Sequence, residues 1–207
     1  MSGILKVGGS ELINDNGGSG ALQWGTGVPA GSVLQVLNTT KTDKEQITGG
    51  SASTDTAFKL VSATGGSGVF QQAITVTGSN KVLINVTANL AHFVNNFTTF
   101  LAIFRGAAVD TAIGSCTKIG VGTGQGSSQN TASFSGQSHD DIANTASNGS
   151  LMFEDTPGAG THYYKVGVYI EYHASTNYGF INAAKNDGNQ AYKAIYVSSL
   201  TLMEVKA

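Results

Sequence analysis

The chain has 207 residues, long enough for one β-sandwich that buries roughly 70% of the surface its unfolded form exposes. Only 12% of its residues are charged, against about 25% in an average soluble domain. The formal net charge is -2, and no cluster of Lys or Arg offers a footprint for nucleic acid or an anionic membrane. The 28 glycines, with Ser, Thr, Asn and Gln, must carry the surface, while patterned runs of Val, Ile, Thr, Tyr and Phe argue for ordered β structure rather than disorder.

Residues 1–30 stand apart as a docking arm or hairpin. Two apolar patches, Ile4 to Val7 and Ala21 to Trp24, flank a turn-rich stretch from Asn14 to Gly18. Ile4, Leu5, Val7, Leu22 and Trp24 cannot be buried by so short a segment, so the arm is expected to pack on a neighbouring subunit or on the body. The N-terminus shows no signal-peptide pattern and no run reaches the ~18 apolar residues of a membrane span. Synthesis in a cytoplasm is expected.

Residues 31–207 read as the body, opened by the punctuation Val28-Pro29-Ala30-Gly31. Strands are expected at Val33 to Thr39, Thr56 to Val61, Phe70 to Thr77, Lys81 to Leu90 and Phe97 to Arg105. Further strands are expected at Ala132 to Ser135, Gly149 to Asp155, Tyr163 to Tyr172, Asn177 to Ile181 and Ala194 to Val205. With no helix between them, a βαβ architecture is excluded and the fold class is an all-β antiparallel sandwich.

In the Tyr163 strand, Tyr164, Val166, Val168 and Ile170 share a buried face, while Lys165, Gly167 and Tyr169 face water or a partner. Phe97 to Arg105 is apolar on both faces and should be a central, doubly covered strand. The polar segments Gly120 to Asn130 and Gly136 to Asn148 exceed hairpin length, as display loops do.

Catalytic and metal templates fit poorly. His139-Asp140-Asp141 is a compact acidic cluster, but it sits in a polar loop where solvated charge is the ordinary outcome. Glu154 and Asp155 should point to opposite faces of one strand, unlike the facing carboxylates of a glycosidase. His92, His162 and His173 are scattered and expected to be exposed, and Cys116, the only cysteine, reads as a small buried hydrophobe. The series Gly120, Gly122, Gly124, Gly126 matches no phosphate loop. No catalytic residue, cofactor or metal is therefore expected. Outward tyrosines, Tyr163, Tyr169, Tyr178 and Tyr192, can stack on sugar rings, and Tyr178 with Asn177, Asn186, Asp187 and Tyr192 forms the candidate glycan contact.

A family resemblance adds to these readings. The run Val28-Pro29-Ala30-Gly31-Ser32-Val33-Leu34-Gln35-Val36 with Thr40-Lys41-Thr42-Asp43 resembles the start of a C-terminal β domain of phage tail fibres and minor virion proteins, especially of marine and cyanobacterial phages. Further matches follow in order: Lys81-Val82-Leu83-Ile84, Phe104-Arg105-Gly106, Ala112-Ile113-Gly114, Ala132-Ser133-Phe134, Leu151-Met152-Phe153, Tyr164-Lys165-Val166 and Leu200 to Val205. The likeness spans Val28 to Ala207 and departs at Glu154 and at Asn177 to Gln190. It implies a jelly-roll-like sandwich, usually trimeric, carried on a virion appendage, and with the outward tyrosines a head that displays loops toward a host-surface glycan is expected. No repetitive shaft precedes the domain, so a short docked trimer is expected rather than a long fibre. A capsid decoration protein is the alternative, and a glycan-active tailspike the remote one.

Overall fold

The computed structural model describes residues 4–7, 9–14, 23–24, 27–48, 58–92, 98–121, 134–137, 146–170, 178–183 and 196–207. The described residues form fifteen strands and two single 3-10 turns, at Thr64–Gly66 and Ile113–Ser115. The N-terminal strands β1 (Ile4–Val7), β2 (Ser10–Asn14) and β3 (Gln23–Trp24) make a separate antiparallel meander. Its first turn lies at Gly9, whose φ of 85° suits a residue without Cβ, and β2 pairs with β3 across the stretch from Asn14 to Gln23, most of which lies outside the described residues.

Sheet I holds β4 (Val33–Lys41), β5 (Glu45–Thr48), β8 (Lys81–His92), β12 (Ser147–Asp155), β14 (Tyr178–Ile181) and β15 (Ser198–Val205). The long β8 is its spine: β12 pairs along one edge, while β15 and then β14 share the other. Outside them, β4 pairs with β15 and β5 with β14. Six strands thus fill four positions.

Sheet II repeats this device with β6 (Lys59–Leu60), β7 (Gln71–Val76), β9 (Thr98–Gly106), β10 (Thr117–Ile119), β11 (Phe134–Gln137) and β13 (Gly160–Ile170). β9 and β13 are central. β7 and β6 share the free edge of β13, and β10 and β11 share that of β9. The all-β antiparallel sandwich expected from the strand pattern is the observed fold, with β5 and β10 added as short strands that lacked a long apolar run.

The core lies between the sheets. Val82, Ile84, Val86, Ala88 and Leu90 of β8 meet Tyr164, Val166, Val168 and Ile170 of β13, with Leu101 and Ile103 of β9 and Leu200 and Leu202 of β15 between them. Every one of these side chains is nearly inaccessible to water, as the period-2 pattern requires. β9 is central and doubly covered, as its two apolar faces imply, and Ala102 and Phe104 on its outer side are buried.

One expectation is corrected on β13. Lys165 and Gly167 do not face water: both are buried, because residues of the β9–β10 connection fold over the outer side of sheet II. His162 is likewise half-buried rather than exposed, with Nε2 3.0 Å from the Gly158 carbonyl. Cys116 is only half-buried, its thiol donating to the carbonyls of Thr111 and Ala112.

Candidate functional site

Two strand breaks in sheet I face one another. β14 ends at Ile181 and β15 resumes at Ser198, and across from that interruption β4 gives way to β5 at Thr42 to Lys44. Asn182 joins them. It is buried, with a left-handed φ of 60° that Asn tolerates better than most residues. Its amide donates to the Lys41 and Asp43 carbonyls at 2.8 and 3.2 Å, and its Oδ1 accepts from the Ser198 hydroxyl at 2.6 Å. Its own backbone N–H reaches Asn89 and its carbonyl accepts from Tyr196. The excursion from Asn182 to Ser198, which contains most of the candidate glycan contact, is therefore held at its base by a fully bonded side chain.

Beside that base lies an ion cluster around the buried Lys41, with Asp43 and Glu45 partly exposed. Lys41 has no exposed surface and donates to Asp43 at 2.8 Å, with Glu45 at 3.2 Å. Glu45 also accepts from the backbone and hydroxyl of Ser62, and Asp43 from the Gly65 N–H, so the cluster ties sheet I to the Thr64–Gly66 turn. Burial opposes the charge on Asp43, but Lys41 and the backbone donors outweigh it and hold the carboxyl below its ordinary value.

Among the candidate glycan residues, Tyr178 is placed at the start of β14, half-buried against the small cluster of Ala91, Phe180 and Ala183. Asn177, Asn186, Asp187 and Tyr192 lie outside the described residues, as does His139-Asp140-Asp141. Tyr169 does not stand alone on the outer face of sheet II. Its ring is 5.8 Å from Phe58 and 5.7 Å from Phe100, Phe58 meets Phe104 edge-on at 5.3 Å, and the Lys118 ammonium sits 4.8 Å over Phe58. Tyr163 is half-buried on the same side. Of the arm residues, Ile4 and Leu5 are exposed in β1, Val7 closes β1 and Trp24 closes β3, and Leu22 lies outside the described residues.

At the opposite end of the sandwich, Asp155 and Glu204 flank Val82 in one cross-strand row, a spacing of two strands or roughly 9.6 Å. A glycosidase could use such a pair, but these two are bound to the protein. Asp155 is paired with Arg105 and accepts the Tyr164 hydroxyl at 2.8 Å. Burial first, and then the Asp155 carboxylate, push the Tyr164 phenol far above its usual range. Glu204 accepts from the Thr77 N–H and hydroxyl, from Asn80 and from Gln35, all between 2.7 and 2.9 Å. Burial would raise its carboxyl, yet these donors together hold it below its ordinary value. The chemistry of this row is closure: it ties β4, β12 and the β7–β8 turn to the end of the core. Glu154, the neighbour of Asp155, points outward to Lys81 at 2.8 Å, as strand alternation predicts.

Among the described residues no group of three His, Cys, Asp or Glu is arranged to hold a metal ion. No helix of the described residues is long and apolar enough to cross a membrane.

No protein-family model and no curated protein matches the chain. Among solved structures, the infectious bursal disease virus VP2 subviral particle is similar at 10% sequence identity and a TM-score of 0.40. The match covers 84% of this chain and 37% of that one, so the chain spans well under half the length of the protein it matches. The sandwich itself rests on the strand register described above.

Proposed function

We propose that the chain is a structural component of a bacteriophage virion, a short homotrimeric appendage that acts by binding and display rather than by catalysis. The observation that carries the docking part of this reading is β1. Ile4 is 48% and Leu5 55% exposed, and consecutive residues of a strand point to opposite faces. Neither face of the N-terminal meander is therefore covered at that point, and strands of four, five and two residues make a sheet too small to be stable on its own. Such a segment needs a partner, either sister chains or another virion protein.

The phage assignment is supported by the sequence resemblance from Val28 to Ala207 and by a sandwich fold compatible with it. The display part is supported by Asn182, which braces the base of the excursion that holds Asn186, Asp187 and Tyr192, next to Tyr178. Three weak glycan sites on one rigid head gain avidity when several engage one cell. The binding reading is supported by Asp43, Glu45, Asp155 and Glu204, each of which is engaged in holding the fold.

Antibody labelling of intact particles tests the assignment. Label at the tail or at a single vertex is expected. Label spread evenly over the head would make this a capsid decoration protein, and its absence from particles would end the virion reading. Replacing residues 184–195 with a Gly-Ser segment should reduce adsorption to host cells, and unchanged adsorption would remove the glycan contact. Incubation with host envelope polysaccharide should release no new reducing ends. Trp24, the only tryptophan, should shift to the blue when the arm meets its partner.

A further inference from the structure

The outer face of sheet I differs from an ordinary wet sheet face. Alternation along β4, β8, β12 and β15 sends one residue in two outward, and in a sandwich those positions are normally polar. Here Val33, Val36 and Met152 are 48, 57 and 64% exposed, and half-buried Leu83, Met203 and Val205 connect them across four strands. Met152 ends the row Asn38–Thr201–Asn85, in which Asn38 donates to the Thr201 hydroxyl at 2.7 Å, and the row beyond it carries only Thr and Ser. Lys81 and Glu154 lie within these rows, opposite Val205 and Leu83, and satisfy each other at 2.8 Å.

We infer that this face is the surface through which copies of the chain associate. The face is electrically neutral and its ion pair is closed internally, so it sets no charge that a foreign partner must match. Copies of the chain can therefore pack against it without burying an unpaired charge. Its size also fits. Four strand positions about 4.8 Å apart and strands of nine residues rising about 3.3 Å each give a face of roughly 600 Å² before side-chain relief, close to the ~800 Å² per partner of a stable interface. Its apolar part is aliphatic with the thioethers of Met203 and Met152, and the polar groups around it are Asn, Thr and Ser together with the closed Lys81–Glu154 pair.

This inference rests on the proposed function in one respect, that the chain self-associates, and it names the surface. The test is light scattering on the full chain after size exclusion, with V36K/M152K set beside I4K/L5K. All four positions are about half exposed or more, so the variants should fold, which circular dichroism checks. The wild type should run as an oligomer, V36K/M152K as a single chain, and I4K/L5K as the wild type does. A monomeric wild type overturns both this inference and the trimer. An oligomer that survives V36K/M152K, or one dissolved by I4K/L5K instead, overturns this inference and leaves the trimer standing.

Discussion

The outer faces of the two sheets begin from the same pattern and end differently. On sheet II, residues of the β9–β10 connection close over the strands: Lys165 donates at 2.9 and 2.8 Å to the carbonyls of Val109 and Thr111, and Ile113 lies against Gly167. On sheet I the outward positions Val36 and Met152 stay more than half exposed. Alternation assigns residues to a face but says nothing about its cover. A connection that crosses back over its own sheet converts one face into a second, smaller core, and the uncovered face is left for other molecules.

The largest effect that would test this contrast is at Phe104, which is 5% exposed on the outer side of sheet II. Phe104→Ala should cost about 3–5 kcal/mol in urea unfolding, the usual penalty for emptying a buried aromatic site. Gly167 supports the same site from below, since a Cβ there would come within 2.7 Å of the Phe104 ring. If Phe104→Ala proves as mild as a surface change, the outer face of sheet II is not a core.

Next in size is Lys165, which is fully buried yet pairs with carbonyls rather than with a carboxylate. Lys165→Met keeps the apolar stem and removes the donors. A loss of about 1.5–3 kcal/mol is expected for charge-assisted hydrogen bonds. The loss should be local in part, so amide hydrogen exchange should rise across residues 107–116 more than in β8. Uniform exchange would mean that the connection is held by something other than this amine.

These two positions also mark where sequence reading works. The inner face of β13 was legible because Tyr164, Val166, Val168 and Ile170 alternate strictly with other residues, and the sheet must bury that face whatever its neighbours. The same alternation made Lys165 look solvated, because a lone amine carries no sign that two carbonyls over fifty residues away in the chain will meet it. Phe100, Ala102 and Phe104 did signal a second cover, though not whose residues supply it. β5 and β10 escaped notice for a related reason: Glu45-Gln-Ile-Thr48 and Thr117-Lys-Ile119 carry one buried apolar residue each, and their pairing with β14 and β9 defines them. For the candidate glycan contact, the residue types pointed to Asn177 to Gln190 and Tyr178, but Asn182, which lies within that segment and joins three strands, has no composition signal. Its role depends on a left-handed φ and on partners from three separate strands.

A smaller effect lies between the two faces, at the end closed by Glu204. Its folded carboxyl is held below the ordinary 4.5, so the unfolded chain takes up this proton at a higher pH than the folded one. The stability it contributes is complete above about pH 4.5 and is lost as the pH falls through the lowered folded value. Glu204→Gln should cost about 1–2 kcal/mol at neutral pH, because its amide oxygen replaces only the Oε1 that accepts from Thr77 and Asn80, and its N–H then faces the Gln35 amide donor. It should also flatten the acid limb of the stability profile between about pH 4.5 and the folded value. An unchanged acid limb would assign that limb to other carboxylates, Asp43 first among them, since its pKa is lowered in the same direction.

The smallest expected effect is on the open face, and its smallness is informative. In dilute solution V36T/M152S should change stability by less than about 0.5 kcal/mol per site, because both side chains already contact water in the single chain. At high concentration the same pair should matter more. If copies associate through this face, mass action adds stability to the wild type in proportion to the logarithm of chain concentration, so its thermal midpoint climbs with concentration. The variant, with less apolar surface to bury, should climb less or not at all. Equal concentration dependence in both proteins would mean that association, wherever it occurs, does not use the uncovered face of sheet I. A large loss in the dilute variant would mean that its side chains are already packed within one chain, and the contrast between the two faces would collapse.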